Sequence, residues 1–369
     1  MHALRKVAAP AAALVLAAAR AGAADAPDSA LHGDARVRLE LRDSTLPDAA
    51  SHRLLLRARA GVTATPAPGL SLGLGLTTAG PDAARVTDVE LGHGPPPRPV
   101  ALDQAWIAWR PDAVPGLALT AGRMNQPLLC VQDLLYDGDW RPDGFAASWS
   151  PRPRGPWRPH VRAGALWLTG TDLDDLALGA AQAAAEWRRG DEWRFLGGAG
   201  FHAFEDTAGR DAPAADGPAA GNSTWTGGRC APCGRPALTR DYRVAEAFAQ
   251  LTWDPWVPVT VYGQALRNTA TSDEAAGWLA GVTLGRARAV GAVEIGWNVR
   301  RLEADATLAA AADSDFAGGG TDVEGHKVYV RCHVVRDVLA GLTWFDGVRD
   351  PDGARLRERL GWIDVTVRF

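Results

Sequence analysis

Beyond the leader, this 369-residue chain contains no apolar run approaching the roughly 20 residues that carry a helix across a bilayer. A helical membrane protein is thereby excluded. Cysteine is scarce: Cys130, Cys230, Cys233 and Cys332 fall outside any zinc-finger spacing, and no second cysteine pair or nearby histidine cluster completes a metal site. No metal and no cofactor is expected. Catalytic motifs are missing as well, since Ser44, Ser148 and Ser314 lack a Gly-x-Ser-x-Gly setting and the eight histidines are scattered. A hydrolase triad would have to be assembled by the fold alone, so the chain reads as a non-enzyme. There is no basic excess either, with 39 Lys and Arg against 43 Asp and Glu for a net charge of −4, which argues against a nucleic-acid partner.

What is present begins with a secretory leader over residues 1–23. Arg5 and Lys6 precede an Ala/Val/Leu run from Val7 to Ala19, and Ala21-Gly22-Ala23 offers a cleavage site before Ala24. As an uncleaved anchor that run is too short. Loss of Arg5, Lys6 and Arg20 takes the net charge from −4 to −7. Residues 24–369 read as one domain rather than several.

A chain delivered to a bilayer without apolar helices can cross it only as a closed β-barrel, because every backbone N–H and C=O must be paired internally. Strand alternation is the corresponding signal. Leu70-Ser-Leu-Gly-Leu-Gly-Leu-Thr77 sets leucines on one face and small or polar residues on the other, and Val293, Ile295, Trp297 and Val299 alternate with Glu294, Gly296 and Asn298. Extending this reading predicts strands near 35–42, 52–64, 70–79, 102–110, 117–123, 144–150, 160–168, 177–188, 192–204, 242–253, 258–267, 276–287, 289–301, 327–336, 338–346 and 358–369. The count is even, as an antiparallel barrel with both termini on one side requires. Links alternate in length, short near 66–69, 111–116, 189–191, 254–256 and 336–337 and long near 80–101, 124–143, 205–241, 302–326 and 347–357, a segregation a soluble sandwich has no reason to show. Tryptophans such as Trp109, Trp167, Trp253 and Trp344 fall toward strand ends, where interfacial girdles would place them. The fold expected is an all-β transmembrane antiparallel barrel of about 16 strands, in the outer membrane of a Gram-negative bacterium.

Several stretches resemble a bacterial porin family and the wider class of sixteen-stranded general porins: Leu102-Asp-Gln-Ala-Trp106, Gly122-Arg-Met124, Asp133-Leu-Leu-Tyr-Asp-Gly-Asp139, Asn222-Ser-Thr224 and Asp313-Ser-Asp-Phe-Ala-Gly-Gly-Gly-Thr-Asp322. The resemblance implies a passive outer-membrane channel for small hydrophilic solutes or ions, commonly a homotrimer. It implies no particular solute.

In such a barrel the inward faces line a wet lumen. Arg36, Arg38 and Arg42, then Arg53, Arg57 and Arg59, recur at period two opposite apolar residues. Arginine facing lipid at mid-membrane costs about 2–4 kcal/mol, so these six should face the lumen. The link after the fifth strand carries Asp133, Asp137, Asp139 and Asp143. The loop at that position in general porins folds inward, so the resemblance sets these carboxylates against the arginines as a charged constriction; the alternative leaves the loop outside and the arginines paired with Glu40 and other lumen acids. Cys230 and Cys233 read as a small loop disulfide in an oxidising compartment. Asp313 to Asp322 reads as a solvated external loop in preference to a calcium turn, which needs six or more placed oxygens. Cys332 falls on the apolar side of its strand. Ala177, Gly179, Ala181, Ala183 and Ala185 make a flat outward strip, either a subunit contact or thinly packed lipid-facing positions. A plugged structural barrel, or a hydrolase with its site at the rim, are the competing readings.

Overall fold

A computed structural model describes residues 28–45, 51–79, 87–92, 98–169, 176–212, 220–226, 236–350, 353 and 355–369. The leader and the Cys230/Cys233 pair lie outside the described residues. Sixteen strands form the barrel: β1 (Asp28–Ser44), β2 (Ser51–Ala67), β3 (Leu70–Thr78), β4 (Val100–Trp109), β5 (Leu117–Arg123), β6 (Asp143–Trp149), β7 (Trp157–Thr169) and β8 (Leu176–Arg189), followed by β9 (Trp193–Phe204), β10 (Tyr242–Trp253), β11 (Val259–Asn268), β12 (Ala276–Gly285), β13 (Val293–Leu302), β14 (Val323–Val335), β15 (Val338–Arg349) and β16 (Leu356–Arg368). Each is antiparallel to the next, and β1 closes on β16 with Asp34 opposite Arg368 and Ser44 opposite Glu358. No barrel edge is left open. Phe369 completes the seam by exchanging backbone hydrogen bonds with Gly33 at 2.9 and 3.1 Å.

Every expected strand is present, with its ends moved by a few residues. The segment expected from residue 289 begins at Val293, because the chain turns through Gly291 at φ +82° before entering β13. Alternation sorts the faces as the period-two pattern demands: Val37, Leu39 and Leu41 are exposed to the lipid side, while Arg38 and Glu40 between them are 5% and 4% exposed. Glycine serves the inner wall by making room for aromatic rings, since a Cβ on Gly73 would collide with the Trp106 indole and one on Gly296 with the Tyr329 ring.

The links at the end that carries both chain termini are 68–69, 110–116, 150–156, 190–192, 254–258, 286–292 and 336–337. The opposite end carries the long links 79–99, 124–142, 205–241 and 303–322, but also 45–50, 170–175, 269–275 and 350–355, which are no longer than turns. Length alone would therefore have mis-sorted four of the outer links. Outward tryptophans gather at the short-turn ends of β4, β6, β7, β8, β9 and β10, where Trp193 stacks on Trp253 at 5.7 Å between ring centroids and Trp157 lies 6.5 Å from Trp187. Trp167 and Trp278 mark the other end.

The interior departs from a uniformly wet lumen. The link 124–142 and the link 303–322 both fold into the barrel, and their Leu134, Leu135, Tyr136, Leu308 and Phe316 pack against inward residues Leu166, Leu178, Phe204, Leu279, Leu302 and Phe345. Asp313 to Asp322 is thus not a solvated external loop: Asp313 is 6% exposed and Thr321 fully buried. An apolar core inside the barrel follows from strand ends that are apolar on both faces, because inward leucines near the mouth gain free energy only if something apolar covers them.

Candidate functional site

Arg36, Arg38, Arg42, Arg53, Arg57 and Arg59 all face the lumen from β1 and β2, where adjacent strands bring the two period-two sets side by side, Arg36 directly opposite Arg57. Like charges so placed repel unless carboxylates intervene. Those come from four parts of the chain. Arg57 bonds Asp34 of its neighbouring strand at 2.8 Å and Asp139 of the inward link at 3.3 Å; Arg59 reaches the same Asp139 oxygen at 3.0 Å. Asp88, from the link 79–99, bonds Arg36 at 2.7 Å and lies 3.6 Å from Arg38, and Asp364 of β16 holds Arg38 at 2.7 Å. Arg38 Cζ also lies over the Trp362 ring, 3.5 Å from its centroid. Nearer the outer mouth, Glu40 is shared by Arg53, Arg42 and the Trp362 indole N–H.

A bulge in β4 supplies a further acid. Gly75 pairs with Gln104 but Leu76 pairs with Leu102, so Asp103 is the extra residue, and it is turned inward to within 3.8 Å of Arg59 and 3.7 Å of Arg141. Bulges re-aim side chains in this way. The sequence pattern missed Asp103, together with Asp34, Asp88, Arg141 and Asp364. A break in alternation inside Leu102-Asp-Gln-Ala-Trp106 was the available signal, because Leu102 and Ile107 cannot both face lipid in an unbroken strand.

The four aspartates expected on the inward link separate into distinct roles. Asp139 is the one that meets the arginines. Asp133 lies on the other side of the link, 2.6 Å from Arg300 and 2.7 Å from Lys327, and Asp137 accepts hydrogen bonds from the Ser314 N–H at 2.8 Å and its hydroxyl at 2.6 Å. Asp143 opens β6 on its outward face, beside Arg123 at 2.9 Å, and does not reach the lumen. Its parity decides this, since Phe145 on the same face is 60% exposed.

Arg300 clamps the two inward links together, bonding Asp133 of one and Asp313 of the other at 2.6 and 2.8 Å while lying against Phe316. Burial would raise the Asp133 carboxyl, but Arg300 and Lys327 outweigh it and hold the group below the usual carboxylate range. Asp313 goes the other way, with burial and the nearby Asp133 pushing it up to about 6 against the pull of Arg300. Partial burial of Asp139 is likewise overcome by Arg59 and Arg57, which keep it ionised to lower pH. On the far wall the Tyr136 hydroxyl meets His202 Nδ1 at 2.8 Å, His202 Nε2 lies 2.9 Å from Glu246, and Gln182 and Gln264 donate to the same carboxylate. Asn222 holds the second inward link by donating to the carbonyls of Ala304 and Thr307. Sequence stretches far apart, around 133–139, 222–224 and 313–322, therefore meet in one buried assembly.

Among the described residues Cys130 and Cys332 are both free thiols. No cluster of His, Cys, Asp and Glu among the described residues is arranged to hold a metal ion.

A closed sixteen-strand barrel with an apolar outer face, an inward link after the fifth strand and a charged inner wall defines an outer-membrane β-barrel of the porin class. Residues 33–229 and 243–369 match the family described as Putative porin, and the chain belongs to that family. Among solved structures it is similar to Pseudomonas putida OprB, with a TM-score of 0.56 at 14% identity over 93% of this chain and 94% of that one. It is also similar to Salmonella typhi OmpF, with a TM-score of 0.55 at 9% identity over 93% and 98%, and to a mutant Rhodopseudomonas blastica porin, with a TM-score of 0.50 at 11% identity over 92% and 100%. At these identities the likeness is one of fold. No curated protein sequence is recognisably similar to the chain.

Proposed function

We propose that the protein is a passive outer-membrane channel for small hydrophilic solutes or ions, narrowed where Asp139 of the inward link meets Arg57 and Arg59 on the wall. The shared ion pair at 3.3 and 3.0 Å is the observation that carries this reading. Opposed charges in a narrow, partly desolvated passage make a transverse field that orders water and orients dipolar solutes. Movement follows the solute's own gradient, without cofactor or catalytic step. Family membership and the porin fold support outer-membrane placement, and cleavage of the leader after residue 23 would deliver the chain there. Gly179, Ala181 and Ala183 on the outward face of β8 are exposed and flat, which supports close contact with a second copy in a homotrimer.

Planar-bilayer recording of the purified protein tests the channel. Stepwise open currents are expected, and deletion of Leu134 to Asp139 should enlarge the single-channel conductance and the solute-size limit. An unaltered size limit would remove the inward link from the constriction. The apolar core inside the barrel favours one competing reading, a closed structural barrel, for which no stepwise current would be seen.

A further inference from the structure

The half of the lumen nearest the short turns carries positive charge that no acid among the described residues neutralises. A cavity of about 410 Å³ there is lined by Arg288, Arg331 and Arg368 in addition to Arg36, Arg38 and Arg57, against the acids Asp34, Glu294 and Asp364. Each acid is already committed to one cation: Asp34 to Arg57 at 2.8 Å, Asp364 to Arg38 at 2.7 Å, and Glu294 to Arg331 at 3.7 Å. Arg288 and Arg368 make no side-chain hydrogen bond or ion pair among the described residues.

The opposite wall repeats the pattern. Arg110 and Arg162 line a second cavity of about 260 Å³ that has no acidic residue in its wall. Their partners are neutral: Arg110 donates to Ser71 Oγ at 3.1 Å, Arg162 to Ser150 Oγ at 3.1 Å, and neighbouring Arg158 to the carbonyls of Ser150 and Pro151. Five guanidiniums, from β7, β16 and the turns 110–116 and 286–292, thus face the lumen with only neutral acceptors or none among the described residues. A guanidinium presents a planar fork of donors that matches two oxygens of one anion, and its charge cannot be discharged by loss of a proton.

We propose that this half of the lumen binds small oxyanions, the chemistry shared by inorganic phosphate and short carboxylates, and that the channel consequently prefers anions. The inference rests on the channel reading above and names the class of solute that it favours. The mild overall acidity of the chain does not oppose it, because selectivity follows the charges that line the passage rather than the net charge of the whole protein.

Reversal potentials across a potassium chloride gradient in planar bilayers test the inference directly. A chloride-to-potassium permeability ratio above about 3 is expected, falling about tenfold in the double variant Arg162→Glu with Arg368→Glu, because both reversed charges act within a screening length of about 10 Å at 0.1 M salt. Inorganic phosphate, and separately succinate, added on the short-turn side should reduce chloride current in the wild type and leave it unchanged in the double variant; a block by only one of the two anions assigns the site to that source. Arg288→Glu, in an exposed turn, provides a second variant that keeps the strand wall intact, and heat-modifiable migration on gels confirms that each variant is folded. Stepwise currents with a reversal potential at zero or on the potassium side would overturn the anion site while leaving the channel reading standing. Absence of any current would overturn both.

Discussion

Arg300 is where the coupling of the two inward links can be broken with one substitution. Its guanidinium, 2% exposed, holds Asp133 at 2.6 Å and Asp313 at 2.8 Å, and Arg300→Met removes both bonds while keeping much of the side-chain volume. Asp133 keeps Lys327 at 2.7 Å; Asp313 has no second ion pair among the described residues. Stranding a buried carboxylate costs about 3–5 kcal/mol, but a ceiling exists because the group can take up a proton. With Arg300 present the group gives up its proton near 6, so holding it neutral in the variant forgoes about 1.4 kcal/mol at pH 7 and almost nothing at pH 5, at 1.36 kcal/mol per unit. The sign follows from the raised value in the folded protein. Asp313 already stands at about 6, so its contribution to stability is fully present below 3.8 and is lost as pH rises through 6. Removing Arg300 carries that loss to higher pH. Urea titration in detergent should therefore show a penalty, taken as the difference between variant and wild type, that is larger at pH 7 than at pH 5 by about 1.4 kcal/mol. Equal penalties at the two pH values would refute the assignment of Asp313 as the stranded charge.

Other outcomes follow from individual contacts. Asp139→Asn leaves Arg57 without its second carboxylate and Arg59 without its nearest, so the permeability ratio should move further toward anions, and a reversal potential that stays put would show that Asp139 does not border the passage. Tyr136→Phe deletes the hydroxyl bonded to His202 at 2.8 Å and should destabilise the inward link by about 1 kcal/mol, read as increased current noise and faster proteolysis within 124–142. Gly73→Ala forces a methyl into the Trp106 indole and should cost about 1–3 kcal/mol; heat-modifiable migration at an unchanged temperature would count against the close fit. Arg57→Glu combined with Arg59→Glu sets three carboxylates together with Asp139, so conductance and ion preference should both change, and neither would do so if these residues stood away from the conducting path.

The sequence by itself determined the wall. Period-two alternation, with leucine and valine on one face and arginine on the other, has only one assignment in a membrane, because a charge facing lipid is costly and a charge facing water is not. The positions of Arg36, Arg38, Arg57 and Arg59 were legible for that reason, as was the closure of the sheet. Pairing partners were not legible, since they depend on contacts between residues far apart in the chain: Arg38 finds Asp364, Arg36 finds Asp88, and Arg300 finds Asp133 only when the barrel closes and the links fold inward. Asp143 shows the limit plainly. It lies close in sequence to Asp139, but Asp143 begins a strand, and strand parity turns it outward to Arg123. The buried link 303–322 was hidden for a related reason. Its aspartates and glycines are those of a solvated loop, and only the apolar inward ends of neighbouring strands, together with Asn222 and Arg300 waiting to satisfy its polar groups, make the barrel interior the lower-energy place for it.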